Sequence, residues 1–211
     1  MKFSFMKQKI VHFLILTAIA AAALFMSGCG QSGANSGTAN SAKAGDTNSA
    51  GSANKGESVY PPLKSDVADA EMETMEGGKT KISDRKGNVV LINLWGIWCG
   101  PCRAEMPHLI ELQNKYRDKG FQTIGLNVGD DDGNPEDFAK IKEFGEKMGL
   151  NYELTRGSRE MKGSIYRLAN FDGVPLSLLV DRDGHLRAVL RGGGPAAIKQ
   201  LKDSVDKVMA E

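Results

Sequence analysis

Val89-Val90-Leu91-Ile92-Asn93-Leu94-Trp95-Gly96-Ile97-Trp98-Cys99-Gly100-Pro101-Cys102 is the stretch that decides how this chain of 211 residues is read. Residues 89–94 form a nearly unbroken apolar run, as expected of a central strand buried on both faces. A helix is predicted from Pro101 to about Lys119, stopped by Gly120. Met106, Leu109, Leu112 and Tyr116 recur at helical spacing as its core face, and Pro107 is expected to kink it. Two cysteines sit at the strand-to-helix junction. At this spacing they can close a disulfide across one turn. Cys99 falls at the helix N-terminus, where unpaired N–H groups and the helix dipole favour a thiolate and so supply a nucleophile near neutral pH. Pro101 lacks only an N–H that would have had no helical partner.

Two blander readings compete. A two-cysteine pair is half of a structural zinc site, which wants four ligands. Only Cys29, His12, His108 and His185 remain to complete one, and Cys29 and His12 lie in or beside the N-terminal apolar segment. A purely structural disulfide over so short a loop would constrain the unfolded chain little. His108 and His185 read as surface residues rather than catalysts.

Working outward, Phe121 to Val128 reads as the next strand, with Ile124, Leu126 and Val128 alternating on one face. Asn134-Pro135-Glu136-Asp137 reads as a helix start, Asn134 capping and Pro135 at the first position, with the helix running to about Met148. A short strand and a short helix are expected between Asn151 and Arg167. Leu176 to Val180 and Leu186 to Arg191 flank Asp183-Gly184 as a hairpin. Pro195 opens a last helix with Ile198, Leu201, Val205 and Val208 as its apolar stripe. Upstream, Asp66 to Lys81 is expected to be a hairpin turning at Gly77-Gly78. The order implies an α/β domain: a mixed β-sheet flanked by helices, with a short N-terminal β-hairpin extension and an insertion after the second core strand.

The N-terminus reads as an address. Lys2, Lys7 and Lys9 precede an apolar run from Ile10 to Met26, too short for a comfortable membrane span and laid out as an export signal. Leu24-Phe25-Met26-Ser27-Gly28-Cys29 resembles the lipobox of bacterial lipoproteins, which implies that Cys29 is lipidated and becomes the mature N-terminus; Met26 stands where Leu is usual. Residues 30–58 are mostly Gly, Ser, Ala, Asn and Thr and read as a flexible tether of ~30 Å root-mean-square reach. The expected division is therefore 1–28 signal peptide, 29–58 lipidated cysteine and linker, and 59–211 folded domain. Net charge is +1, and three lysines lie in the first 28 residues, so there is no broad basic excess of the kind nucleic-acid binding needs. No phosphate-binding loop, nucleotide, haem or metal motif is found.

From residue 59 onward the chain is similar to the thioredoxin family, whose redox motif is Trp98-Cys99-Gly100-Pro101-Cys102 as it stands here. Asn93 to Trp98, Cys102-Arg103-Ala104-Glu105-Met106-Pro107 and Gly173-Val174-Pro175 resemble the membrane-anchored members of the TlpA and ResA type. The resemblance implies a thioredoxin-like fold and a redox-active disulfide with no other cofactor. In it Cys99 attacks a partner disulfide and a less exposed Cys102 resolves the mixed disulfide. Thioredoxin's buried aspartate resembles Asn93 in position, which cannot titrate, so Glu105 is expected to carry the proton of Cys102, with a pKa raised by partial burial. Pro175 is expected to be cis, with the Val174 backbone offered to a substrate peptide and Trp98 as an apolar wall beside the pair; Trp95 is expected to pack. Leu176 and Leu178 replace the residues usual after that proline.

The leading functional expectation is an extracytoplasmic protein-disulfide reductase, anchored to a bacterial membrane and facing the periplasm or the outside. It would act on protein thiols and disulfides, with apocytochrome c as a candidate substrate, and draw electrons from a membrane thiol-reducing relay. A disulfide oxidase or isomerase, a peroxidase of the peroxiredoxin class and a non-enzymatic binding module are the alternatives. Peroxiredoxins resemble a pattern with Thr three residues before the reactive cysteine, where this chain has Gly96.

Overall fold

The structure is a computed structural model, and it describes residues 58–211. The export signal, Cys29 and nearly all of the tether lie outside the described residues. The elements run α1 (Ser65–Ala68), β1 (Met72–Thr74), β2 (Lys79–Thr80), β3 (Val89–Trp95), α2 (Gly100–Tyr116), β4 (Phe121–Asn127), α3 (Phe138–Met148), β5 (Glu153–Gly157), α4 (Arg159–Ala169), β6 (Leu176–Val180), β7 (Leu186–Arg191) and α5 (Pro195–Met209). They build one seven-stranded mixed sheet of order β2-β1-β5-β4-β3-β6-β7. β3, β4 and β5 are parallel to one another, and antiparallel strands close both sides.

Every residue of β3 is buried, as the apolar run requires. Its alternation sorts side chains to two layers. Val90, Ile92 and Leu94 join Ile124, Leu126, Leu176, Leu178, Met161 and Ile165 under α1 and α4. Val89 and Leu91 join Leu109, Leu112, Phe121, Leu201 and Val205 under α2 and α5. Trp95 lies further along that second face, packed with Met106, Ile141 and the two cysteines. α2 runs on through Pro107 to Tyr116, then tightens into a 3-10 turn (Arg117–Lys119) that Gly120 ends at φ 77°. β4 is buried on both faces rather than one: Thr123, Gly125 and Asn127 are covered as fully as Ile124 and Leu126, because β4 lies between β3 and β5 with helices above and below.

Two local expectations are corrected. The expected hairpin over 66–81 is shorter: its first part is the single turn α1, where Val67 is buried and no residue pairs as a strand, and only Met72–Thr74 and Lys79–Thr80 pair around Gly77-Gly78. The expected helix start at Asn134 is displaced to Phe138, with Asp137 as the cap accepting from the Ala139 N–H at 2.7 Å. Asn134 is taken by Asp130, whose carboxylate accepts both its backbone and side-chain N–H and closes a tight loop. The insertion after β4 thus supplies this loop, α3 and β5. Arg156 of β5 fastens it by bonding Glu73 of β1 at 2.6 Å and the Glu136 carbonyl at 3.0 Å while stacking over the Phe138 ring.

Replacing the true cap separates these assignments. Asp137→Ala is expected to lower stability in urea by about 1 kcal/mol, and an unchanged midpoint would mean that α3 does not start there.

Candidate active site

β3 ends at Trp95, and α2 begins after four intervening residues, so the chain delivers Cys99 to a helix N-cap. Cys99 and Cys102 are joined in a disulfide with Cα atoms 5.3 Å apart. The Cys102 N–H donates to Cys99 Sγ at 3.1 Å, the capping contact that would favour a thiolate on Cys99 once the bond is open. Cys102 was expected to be the less exposed of the two, and the difference is slight: Cys99 is 2% exposed and Cys102 1%. Neighbouring loops close over both. Val174 packs against the cluster that holds the two sulfurs. The Val174–Pro175 bond is cis, and Pro175 is buried. Gly193 sits between Pro101 and Pro175, with room for no side chain: a Cβ there would stand 2.8 Å from Pro101 Cβ.

Trp98 forms the outer wall. It is the large hydrophobic side chain left most open near the pair, 45% exposed, and its Nε1 donates to the Gly129 carbonyl at 3.0 Å. Its indole lies across Gly96, where a Cβ would come within 2.7 Å of Nε1. Trp95 behaves as expected of a packing residue, fully buried and stacked on Phe144 at 5.3 Å between ring centroids.

Beneath the pair lies a polar row inside an apolar layer. Asn93 and Ser177 are the one polar residue in each of two fully buried strands, β3 and β6, and they pair across the sheet. Asn93 Nδ2 donates to Ser177 Oγ at 3.0 Å and to Glu105 Oε1 at 2.6 Å. Glu105 lies one turn after Cys102 on the same helix face, where residues three apart come within about 5–6 Å at Cβ. It is only 3% exposed, more than the partial burial expected. Burial pushes its carboxyl pKa from 4.5 up to about 7, against the lowering pull of the Asn93 hydrogen bond. Ser177 was missed in the sequence, yet its signal was there: a lone polar residue in an apolar strand needs a buried partner. His108 is a half-exposed helix residue 3.8 Å from Glu111. His185 sits partly buried by Asp181 at 3.3 Å, less open than expected, because the chain at Pro61–Leu63 pairs over its turn. Among the described residues no cluster of His, Cys, Asp and Glu is arranged to hold a metal ion.

The family model described as AhpC/TSA matches residues 63–189. The chain belongs to the AhpC/TSA family. It is 34% identical over 134 residues to the thiol-disulfide oxidoreductase ResA of Bacillus anthracis, spanning 64% of this chain and 71% of that protein. The ResA of Geobacillus kaustophilus is 28% identical over 128 residues, 61% of this chain and 68% of its own. Among solved structures, a Chlorobium tepidum protein described as a thiol:disulfide interchange protein DsbE superposes with a TM-score of 0.55 at 28% identity, covering 66% of this chain and 92% of that one. The thioredoxin-like fold and the thiol–disulfide oxidoreductase class implied by the redox motif both stand.

The buried carboxyl links stability to pH. Its folded pKa lies above the unfolded one, so its favourable contribution is complete below about pH 4.5 and is lost as pH rises through about 7. The loss amounts to about 3 kcal/mol. In the oxidised protein, Glu105→Gln should flatten this slope and leave the variant more stable than wild type at pH 8, as read by urea unfolding at several pH values. A slope like that of wild type in the Gln variant would remove Glu105 as its source.

Proposed function

We propose that this chain is an extracytoplasmic protein-disulfide reductase working through Cys99 and Cys102, with Glu105 as proton carrier and the lipid anchor at Cys29. The observation that carries the reading is the buried Glu105 carboxyl one turn from Cys102, held by Asn93. Strong disulfide donors depend on a stabilised reduced thiolate. A buried carboxyl without a countercharge opposes a second negative charge beside it, which favours protonated thiols and a reducing pair.

In the reaction, the Cys99 thiolate attacks one sulfur of a partner disulfide. That S–S bond breaks, one partner sulfur leaves with the electron pair and takes a proton, and the other is joined to Cys99. The Cys102 thiol gives its proton to the Glu105 carboxylate and attacks Cys99 Sγ. The second partner sulfur leaves, the Cys99–Cys102 disulfide closes, and two electrons have passed to the partner. The Val174 backbone, set by cis-Pro175 behind it, is offered to the partner segment, and Trp98 walls the groove. Haem-binding cysteines of apocytochrome c are the proposed natural substrate, and a membrane thiol-reducing relay is the proposed electron source. The peroxidase alternative is disfavoured at Gly96: the Thr expected there would drive its Cβ into the Trp98 indole.

Equilibration of the full-length protein with defined thiol buffers should give a potential near about −270 mV; a value near about −120 mV, that of a strong oxidant, would reverse the direction. Cys102→Ser should accumulate mixed disulfides with its partner, and Cys99→Ser none. For the anchor, labelled palmitate should enter the wild-type chain and not Cys29→Ser; equal labelling would place the lipid elsewhere.

A further inference from the structure

Glu105 is held from one side. Asn93 donates to Oε1, and the second carboxyl oxygen, which is not fully shut off from solvent, accepts no hydrogen bond from the described residues. Four donors on this face are in the opposite condition: the Tyr152 hydroxyl, Trp95 Nε1, and, two residues to either side of Gly125, Thr123 Oγ1 and Asn127 Nδ2 are buried without a hydrogen-bond partner in the protein. Gly125 shows how closely the first two gather. It is the register partner of Asn93 on the neighbouring strand, about 4.8 Å away. A Cβ on Gly125 would stand 3.0 Å from Trp95 Nε1 and 3.2 Å from Tyr152 Cε2. The missing side chain lets indole and phenol press onto the sheet next to Asn93, on the face that Glu105 covers. Burial, and then the Glu105 charge, push the Tyr152 phenol upward, so it stays a protonated donor throughout the working range.

We propose that Tyr152 is the second hydrogen-bonding partner of Glu105, its hydroxyl donating to the carboxylate, directly or through one internal water, when the proton leaves. The inference rests on the reading of Glu105 as proton carrier for Cys102. Tyr152 touches no reacting sulfur and is a positioning residue. The neutral carboxyl accepts from Asn93 at Oε1 and carries a donor O–H of its own, for which the phenol oxygen is an acceptor, but a hydrogen bond donated to the ionised form is the stronger one and so favours it. The ionised one has an oxygen with no donor from the protein, and of the buried unpaired donors on this face the phenol is the one on which the Glu105 charge acts. Around Glu105, β3, β4 and β6 present Asn93, Gly125 and Ser177, none of which titrates. α3 presents Ile141 and Phe144 to this region. The charged pairs between α2 and α5, Glu111–Lys202 and Lys115–Asp206, lie six residues and more beyond Glu105. That leaves Tyr152 and the two cysteines, and the cysteines are silent while disulfide-bonded.

The test is a carbon-13 titration of the Glu105 carboxyl in the full-length, oxidised protein. Tyr152→Phe keeps the ring and its packing, and should raise the Glu105 midpoint by about one pH unit. Incorporating 3-fluorotyrosine at position 152, a more acidic phenol and stronger donor, should lower it, and this keeps the question answerable if the Phe variant folds poorly. A Tyr152 that merely packs leaves the midpoint unmoved by either change, which overturns the proposal. Failure of the underlying reading looks different: Glu105→Gln would leave the pH profile of disulfide reduction unaltered, whatever the carboxyl titration shows.

Discussion

A carboxyl group taken out of water must find hydrogen bonds or give up its charge, and the layer between the sheet and α2 is arranged around that demand. Glu105 enters a largely apolar layer, and the one polar residue of each of the fully buried strands β3 and β6 lies where it lands. Asn93 meets the carboxyl, Ser177 meets Asn93, and Gly125 withdraws its side chain so that two aromatic donors can draw near. Were Asn93 a leucine, the carboxyl would lose its bonded partner in the protein, and the polar row would end at an unpaired Ser177.

The redox pair depends on the same layer through the helix that carries it. The N-terminus of α2 is fixed by the end of β3 and by the Cys102 N–H to Cys99 Sγ contact. Its far end is tied to α5 where the Tyr116 hydroxyl donates to Asp206 at 2.9 Å. A helix held at both ends keeps Glu105 and Cys102 in fixed register one turn apart.

Much of this could be read in the chain before the structure. The apolar run 89–94, the cysteine pair and the helical stripe after it are strong periodic signals, and they place β3, α2 and the disulfide correctly. What misled was local chemistry with two possible uses. Asn134 and Asp137 are both good caps; closure of the tight loop onto Asp130, four residues back, consumed the first and left the second. The turn α1 contains no strong helix signal and owes its shape to Val67 entering the core. The covering of the pair involves Val174 of the proline loop, 75 residues beyond Cys99, and no pattern near the cysteines could reveal it.

The sheet ends softly on both sides. β2 is two residues long and carries Lys79, ion-paired to Glu71. β7 is overlaid at its start by Pro61 and Leu63, and bears Arg187 and Arg191. An unfolded partner brings long extended segments, the kind that add readily to an open strand edge. Here such a segment finds a two-residue strand at one edge and a partly overlaid one at the other. A client is thus gripped over a few residues at its sulfur and let go once the bond has changed hands, which suits a catalyst that must turn over rather than a chaperone that must hold.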